Sequence, residues 1–92
     1  MTSPSAKPIL YIKSGCPWCR EAENFLHSKG VSYEVKDVLI DPAAARRMQQ
    51  LTGQTLTPSF EYRDFVVADF SVEEFVSALR KNPKVAQELN LA

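Results

Sequence analysis

The chain has 92 residues, 45% of them hydrophobic and 24% charged, the composition of one small globular domain that can bury a core without staples. Eleven basic residues balance eleven acidic ones for a net charge of zero, so charge gives no argument for nucleic acid or an anionic membrane as partner. No stretch approaches the roughly 18 apolar residues of a membrane span.

Residues 1–7 read as a flexible tail without the apolar core of an export signal, and residues 8–92 as a single domain. Pro8 to Ser14 carries Ile9, Leu10, Tyr11 and Ile12 with a strand's period and predicts the first strand. Lys13-Ser14-Gly15-Cys16-Pro17-Trp18-Cys19-Arg20 follows, and Pro17 suits a first helical position, where its missing N–H costs nothing. Ala22, Phe25 and Leu26 form an apolar helical face that Gly30 stops. Val31 to Val38 alternates as a second strand.

Asp41 and Pro42 read as N-cap and N1 of a second helix with Ala44, Met48 and Leu51 on one face, closed by Gly53. Ser59 to Tyr62 and Phe65 to Ala68 predict a hairpin turning at Arg63-Asp64. Ser71 with Glu74 forms a capping box for a helix lined by Val72, Phe75, Val76 and Leu79 and ending near Asn82-Pro83. Val85 and Leu89 suggest one last short helix. The order βαβ, α, ββα predicts an α/β fold: a four-stranded mixed sheet, strands one and two parallel, with helices on both faces.

Two cysteines three apart at a strand-to-helix junction are a thiol pair placed for redox chemistry. Cys16 precedes the helix, where unpaired N–H groups and the helix dipole favour a negative sulfur, and Lys13 and Arg20 add positive charge nearby. It is the predicted nucleophile. Cys19, one turn inside and less exposed, is the predicted resolving thiol. Without an export signal the chain is expected in a reducing, cytoplasmic compartment, where a structural disulfide is unfavoured. A zinc site needs about four ligands. One C-x-x-C and the distant, solvated His27 do not supply them within a monomer, so no metal is expected. Pro17 stiffens the helix start, and Trp18 is expected to stand exposed beside the sulfur as a stacking wall. The N–H groups of Phe70 and Ser71 lie at a helix start suited to an anion, while Asp37, Asp41, Arg46 and Arg47 read as a solvated face.

Lys13-x-x-Cys16-Pro17-Trp18-Cys19 after a strand resembles the active site of the glutaredoxins. Thr52-Gly53, followed five residues later by Pro58, resembles the threonine-glycine approach to their cis-proline, and the element order is that of the thioredoxin fold. The resemblance runs from about Ile9 to Leu79. It implies a glutathione-dependent thiol-disulfide oxidoreductase acting on protein disulfides and glutathionylated proteins, with glutathione as co-substrate; a monomer is the default expectation. It also implies glutathione contacts from Lys13, Trp18, Thr57, Pro58, Phe70 and Ser71, with a cis Thr57-Pro58 bond turning the Thr57 backbone towards Cys16. Two stretches depart from the family pattern. Thr57 stands where a valine is usual, and Ala68, Asp69 and Ser71 stand where a glycine pair and an aspartate are usual. Phe70 is similar to the glycine-phenylalanine of glutaredoxin-like reductants served by thioredoxin reductase, although those usually lack the proline between the cysteines. That keeps two alternatives open: such a reductant, or a non-catalytic carrier of an iron–sulfur cluster or a partner.

Overall fold

The computed structural model describes residues 7–91, so the predicted tail up to residue 6 lies outside the described residues. Eight elements follow in order: β1 (Ile9–Ile12), α1 (Pro17–Ser28), β2 (Glu34–Asp37), α2 (Pro42–Thr52), β3 (Ser59–Tyr62), β4 (Phe65–Val67), α3 (Val72–Arg80) and α4 (Pro83–Glu88). The strands form one sheet in the order β2-β1-β3-β4. β1 runs parallel to β2, with Ile9 opposite Glu34, and antiparallel to β3, with Leu10 opposite Phe60. β3 and β4 complete the antiparallel hairpin, Tyr62 opposite Phe65. This is the predicted thioredoxin-like architecture. Among the described residues no helix is long and apolar enough to cross a membrane.

Successive residues of a strand face opposite sides of the sheet, and β1 uses both. Leu10 joins Phe60 in the larger core with residues of α1, α3 and α4, including Leu26, Phe75 and Ala86. Tyr11 joins Ala44 and Met48 of α2 on the other face. The Tyr11 hydroxyl donates to Glu61 at 2.7 Å, and Arg47 donates to the other oxygen of the same carboxylate at 2.8 Å. Burial first, and then the bond to Glu61, push the Tyr11 hydroxyl well above its ordinary value. Arg47, exposed on the solvated face as expected, therefore also ties α2 to the sheet.

The predicted second strand begins three residues late for a local reason. Lys29 ends α1 and Gly30 adopts φ 70°, donating its N–H to the His27 carbonyl at 3.0 Å, while Val31 donates to Leu26 at 3.0 Å. This paired closure satisfies the last helical carbonyls and uses the backbone of Val31, which is buried against the core and unavailable to the ladder. β2 consequently starts at Glu34. α2 is capped as predicted, the Asp41 carboxylate accepting from the Ala44 N–H at 3.1 Å. α3 carries the full capping box of Ser71 and Glu74.

Phe75 sits at the centre of an aromatic cluster. Its ring lies 4.9 Å from Phe60, 6.0 Å from Phe25 and 6.3 Å from Phe65, edge to face, and stacks on Phe70 at 5.1 Å. Such pairs add to the burial of the rings themselves. The cluster holds α3 against α1 and the sheet, and because Phe70 immediately precedes Ser71 it also fixes where α3 begins. Phe75→Ala, at a residue only 1% exposed, is expected to lower stability by about 3–5 kcal/mol in denaturant unfolding monitored by circular dichroism.

Candidate active site

The topology gathers three chain segments at one end of the sheet. β1 and β2 run parallel, so both finish there, and β3, antiparallel to β1, starts there. The loop after β1 delivers Cys16, the end of β2 delivers Asp37, and the segment entering β3 delivers Thr57 and Pro58. Gly15 makes the turn at φ 85°, a left-handed conformation that a side chain disfavours. The Asp37 carboxylate braces this loop, accepting from the Ser14 hydroxyl and, at 2.9 Å, from the Leu39 N–H. Those bonds hold the Asp37 carboxyl below its ordinary value.

Cys16 is the N-cap of α1, with extended backbone at φ −84° and ψ 115°. Its N–H donates to the Lys13 carbonyl at 3.1 Å, and its sulfur accepts from the Cys19 N–H at 3.2 Å. One orphan amide of the helix start is therefore aimed at the Cys16 sulfur, the arrangement that favours a thiolate. The Thr57 hydroxyl lies 3.8 Å from the same sulfur, and the Cys16 thiol lies 4.0 Å from the Thr57 carbonyl. Both cysteines are free thiols. Cys16 is half-buried, whereas Cys19 is only 2% exposed.

These surroundings separate the two thiols. Burial pushes Cys16 up, but hydrogen bonding with Cys19, the Thr57 hydroxyl and the Trp18 N–H outweighs it, and the thiol ends below its ordinary value. Burial together with the hydrogen bond to Cys16 pushes Cys19 up to about 11. Hydrogen bonds, acting at contact, account for the lowering at Cys16.

Pro17 occupies the first position of α1, and Trp18 is 57% exposed beside the sulfur. The Thr57-Pro58 bond is cis, and Pro58 is buried. Trp18 forms one wall of a notch otherwise lined by Asp69, Phe70, Ser71, Glu73 and Glu74. The two amides expected to face an anion there are already used. Ser71 donates its N–H to the Glu74 carboxylate at 2.9 Å, and Phe70 donates to the Pro58 carbonyl at 3.2 Å. The Phe70 ring is buried in the core. His27 is exposed on α1. Among the described residues no three His, Cys, Asp or Glu side chains converge in a way that could hold a metal ion.

A family model described as Glutaredoxin matches residues 9–66, from β1 through the start of β4. The chain belongs to the glutaredoxin family. Glutaredoxin 3 of Escherichia coli is 39% identical over 51 residues, a match covering 53% of this chain and 59% of that relative's length. A glutaredoxin of Neisseria meningitidis is 33% identical over 64 residues, covering 67% of this chain and 74% of the relative. Among solved structures, a thioredoxin-like protein shares 33% identity over 79% of this chain and all of its own, with a TM-score of 0.71. A buckwheat glutaredoxin solved as a glutathione complex shares the fold at TM-score 0.67 and 15% identity, covering 89% of this chain and 74% of that one.

Within this glutaredoxin the thiol motif, Pro58 and the helix start were legible as residue types. The Ser14–Asp37 brace and the Thr57 hydroxyl were not; the only available signal was a hydroxyl residue two before Cys16 and another just before the proline. The separation of the thiols has a direct readout. Alkylation of the reduced protein, followed by mass spectrometry across pH, is expected to label Cys16 alone at neutral pH, with Cys19 reacting only as pH approaches about 11.

Proposed function

We propose that this chain is a dithiol thiol-disulfide oxidoreductase that reduces protein disulfides and glutathione mixed disulfides, with glutathione as co-substrate. One observation carries the reading: the Cys16 sulfur receives the Cys19 N–H at a helix start while Cys19 itself is buried and held protonated. The Cys16 thiolate attacks the glutathionyl sulfur of a mixed disulfide, forming a Cys16–glutathione disulfide and releasing the protein thiolate, which takes a proton from solvent. A second glutathione thiolate then attacks the bound glutathionyl sulfur. Glutathione disulfide leaves, and Cys16 returns as thiolate.

On a protein disulfide, Cys16 first forms a mixed disulfide with one substrate sulfur and expels the other. Cys19 loses its proton and attacks the Cys16 sulfur, releasing the substrate's second thiol and leaving a Cys16–Cys19 disulfide. Two glutathione molecules reduce that bond, ending as glutathione disulfide. Couples of this kind lie at roughly −200 to −230 mV, within reach of a cytosolic glutathione pool, and the proposed location is the cytoplasm.

In this reading Trp18 offers a face to the tripeptide, the Thr57 backbone beside Pro58 offers peptide hydrogen bonds, and Lys13 offers charge to a carboxylate. Phe70 and Ser71 border the notch. A carboxylate seeking the Ser71 amide competes with Glu74. Glu74→Ala is therefore expected to lower the KM for glutathione about threefold while weakening the α3 cap by about 1 kcal/mol. That competition, with Ala68 and Asp69 in place of the glycine pair, favours a second reading in which thioredoxin reductase supplies the electrons.

Turnover of a small mixed disulfide separates the two, measured with glutathione, glutathione reductase and NADPH in one arm and thioredoxin reductase and NADPH in the other. Activity in the glutathione arm supports the first reading, and activity only in the other arm overturns it. Cys16→Ser is expected to abolish turnover, whereas Cys19→Ser retains part of the activity on glutathione mixed disulfides. Full turnover by both variants would sink the mechanism.

A further inference from the structure

The reacting sulfur has two neighbours on one residue. In the thiol form the Cys16 S–H points at the Thr57 carbonyl, 4.0 Å away. Once the proton has gone to solvent, that carbonyl faces an anion with nothing to accept, which opposes ionisation. The Thr57 hydroxyl, 3.8 Å from the same sulfur, is a donor that rotates to suit either partner. Its proton stays on oxygen, and directed at sulfur it bonds the thiolate more strongly than the neutral thiol. The residue thus presents an acceptor to the thiol and a donor to the thiolate.

We propose that the Thr57 side-chain hydroxyl acts directly on the reacting atom, stabilising Cys16 as thiolate both before it attacks and when it is expelled from a mixed disulfide. The inference rests on Cys16 being the attacking sulfur, as proposed above. Hydrogen bonds to charged acceptors are stronger than those between neutral groups, so the contact contributes more to the thiolate than to the thiol. The second step of the cycle gains with the first, because a more stable thiolate leaves faster.

Other charged and titratable groups around this end of α1 are Lys13, Arg20 and Cys19 on its own segment and Asp37 across Ser14. Asp69, Glu73 and Glu74 lie beyond Trp18. The stretch from Thr52 to Ser59 that carries the hydroxyl has no charged side chain. Replacing the hydroxyl by a methyl group therefore removes one donor and leaves every charge in place.

Thr57→Val and Thr57→Ser are the test, on the full chain in its reduced form. The Cys16 thiolate is followed by its ultraviolet absorbance across pH and by iodoacetamide alkylation at about pH 6, neither of which requires turnover. In Thr57→Val the absorbance midpoint is expected to rise and alkylation to slow by about threefold, as the loss of one modest hydrogen bond implies. Thr57→Ser, which keeps the hydroxyl, is expected to stay with the parent protein. Two results overturn the proposal: an unchanged midpoint in Thr57→Val, or an equal rise in Thr57→Ser, which would place the effect in the lost methyl contact. Failure of the oxidoreductase reading shows separately, as full turnover by Cys16→Ser.

Discussion

The hydrogen bond from the Cys19 N–H to the Cys16 sulfur is the interaction on which the site depends. It exists because Cys16 is at once the end of a loop and the N-cap of α1, so a helix that must satisfy its orphan amides satisfies one of them with sulfur. An ordinary cap would be a hydroxyl or carboxylate, and would stabilise the helix without being able to exchange with a disulfide. Here the cap is the proposed nucleophile. Helix formation and thiolate formation are therefore coupled, and whatever holds the start of α1 in place also holds the reactivity of Cys16.

The rest of the fold serves that geometry from two sides. Leu10 and Tyr11 lock β1 into cores on both faces of the sheet, which fixes the point where the loop to Cys16 departs. The aromatic cluster around Phe75 carries Phe70, and the Phe70 N–H bonds the Pro58 carbonyl, so the packing of α3 reaches the segment that brings Thr57 to the sulfur. Asp37 braces the loop from the third direction through Ser14. Rigid elements thus set the site, and the loops between them are short.

Local chemistry was what the sequence made legible. The thiol spacing, Pro17 at the first helical turn, the Asp41 cap and the Ser71–Glu74 box are each signalled by residues within four positions of one another, and each is found. Elements whose form depends on a competing local motif were read less well: Val31 looks like strand by alternation, yet its N–H goes to Leu26. Long-range pairs were not legible at all. Arg47, Glu61 and Tyr11 each look solvated or merely apolar in isolation, and only the register of β1 on β3 brings them together. Thr57 is the instructive case. It departs from the family's usual valine, and its hydroxyl lies next to the sulfur, a position set by a fold contact across 41 residues.

The sheet's two borders carry a consequence of another kind. β2 is a four-residue border strand, Glu34-Val35-Lys36-Asp37, in which three of the four side chains are charged, and β4 on the opposite border has three residues. Unpaired strand edges are templates for another chain, and short, charged ones recruit poorly. Brief, charged margins thus keep the four-stranded sheet from growing a fifth strand out of another chain.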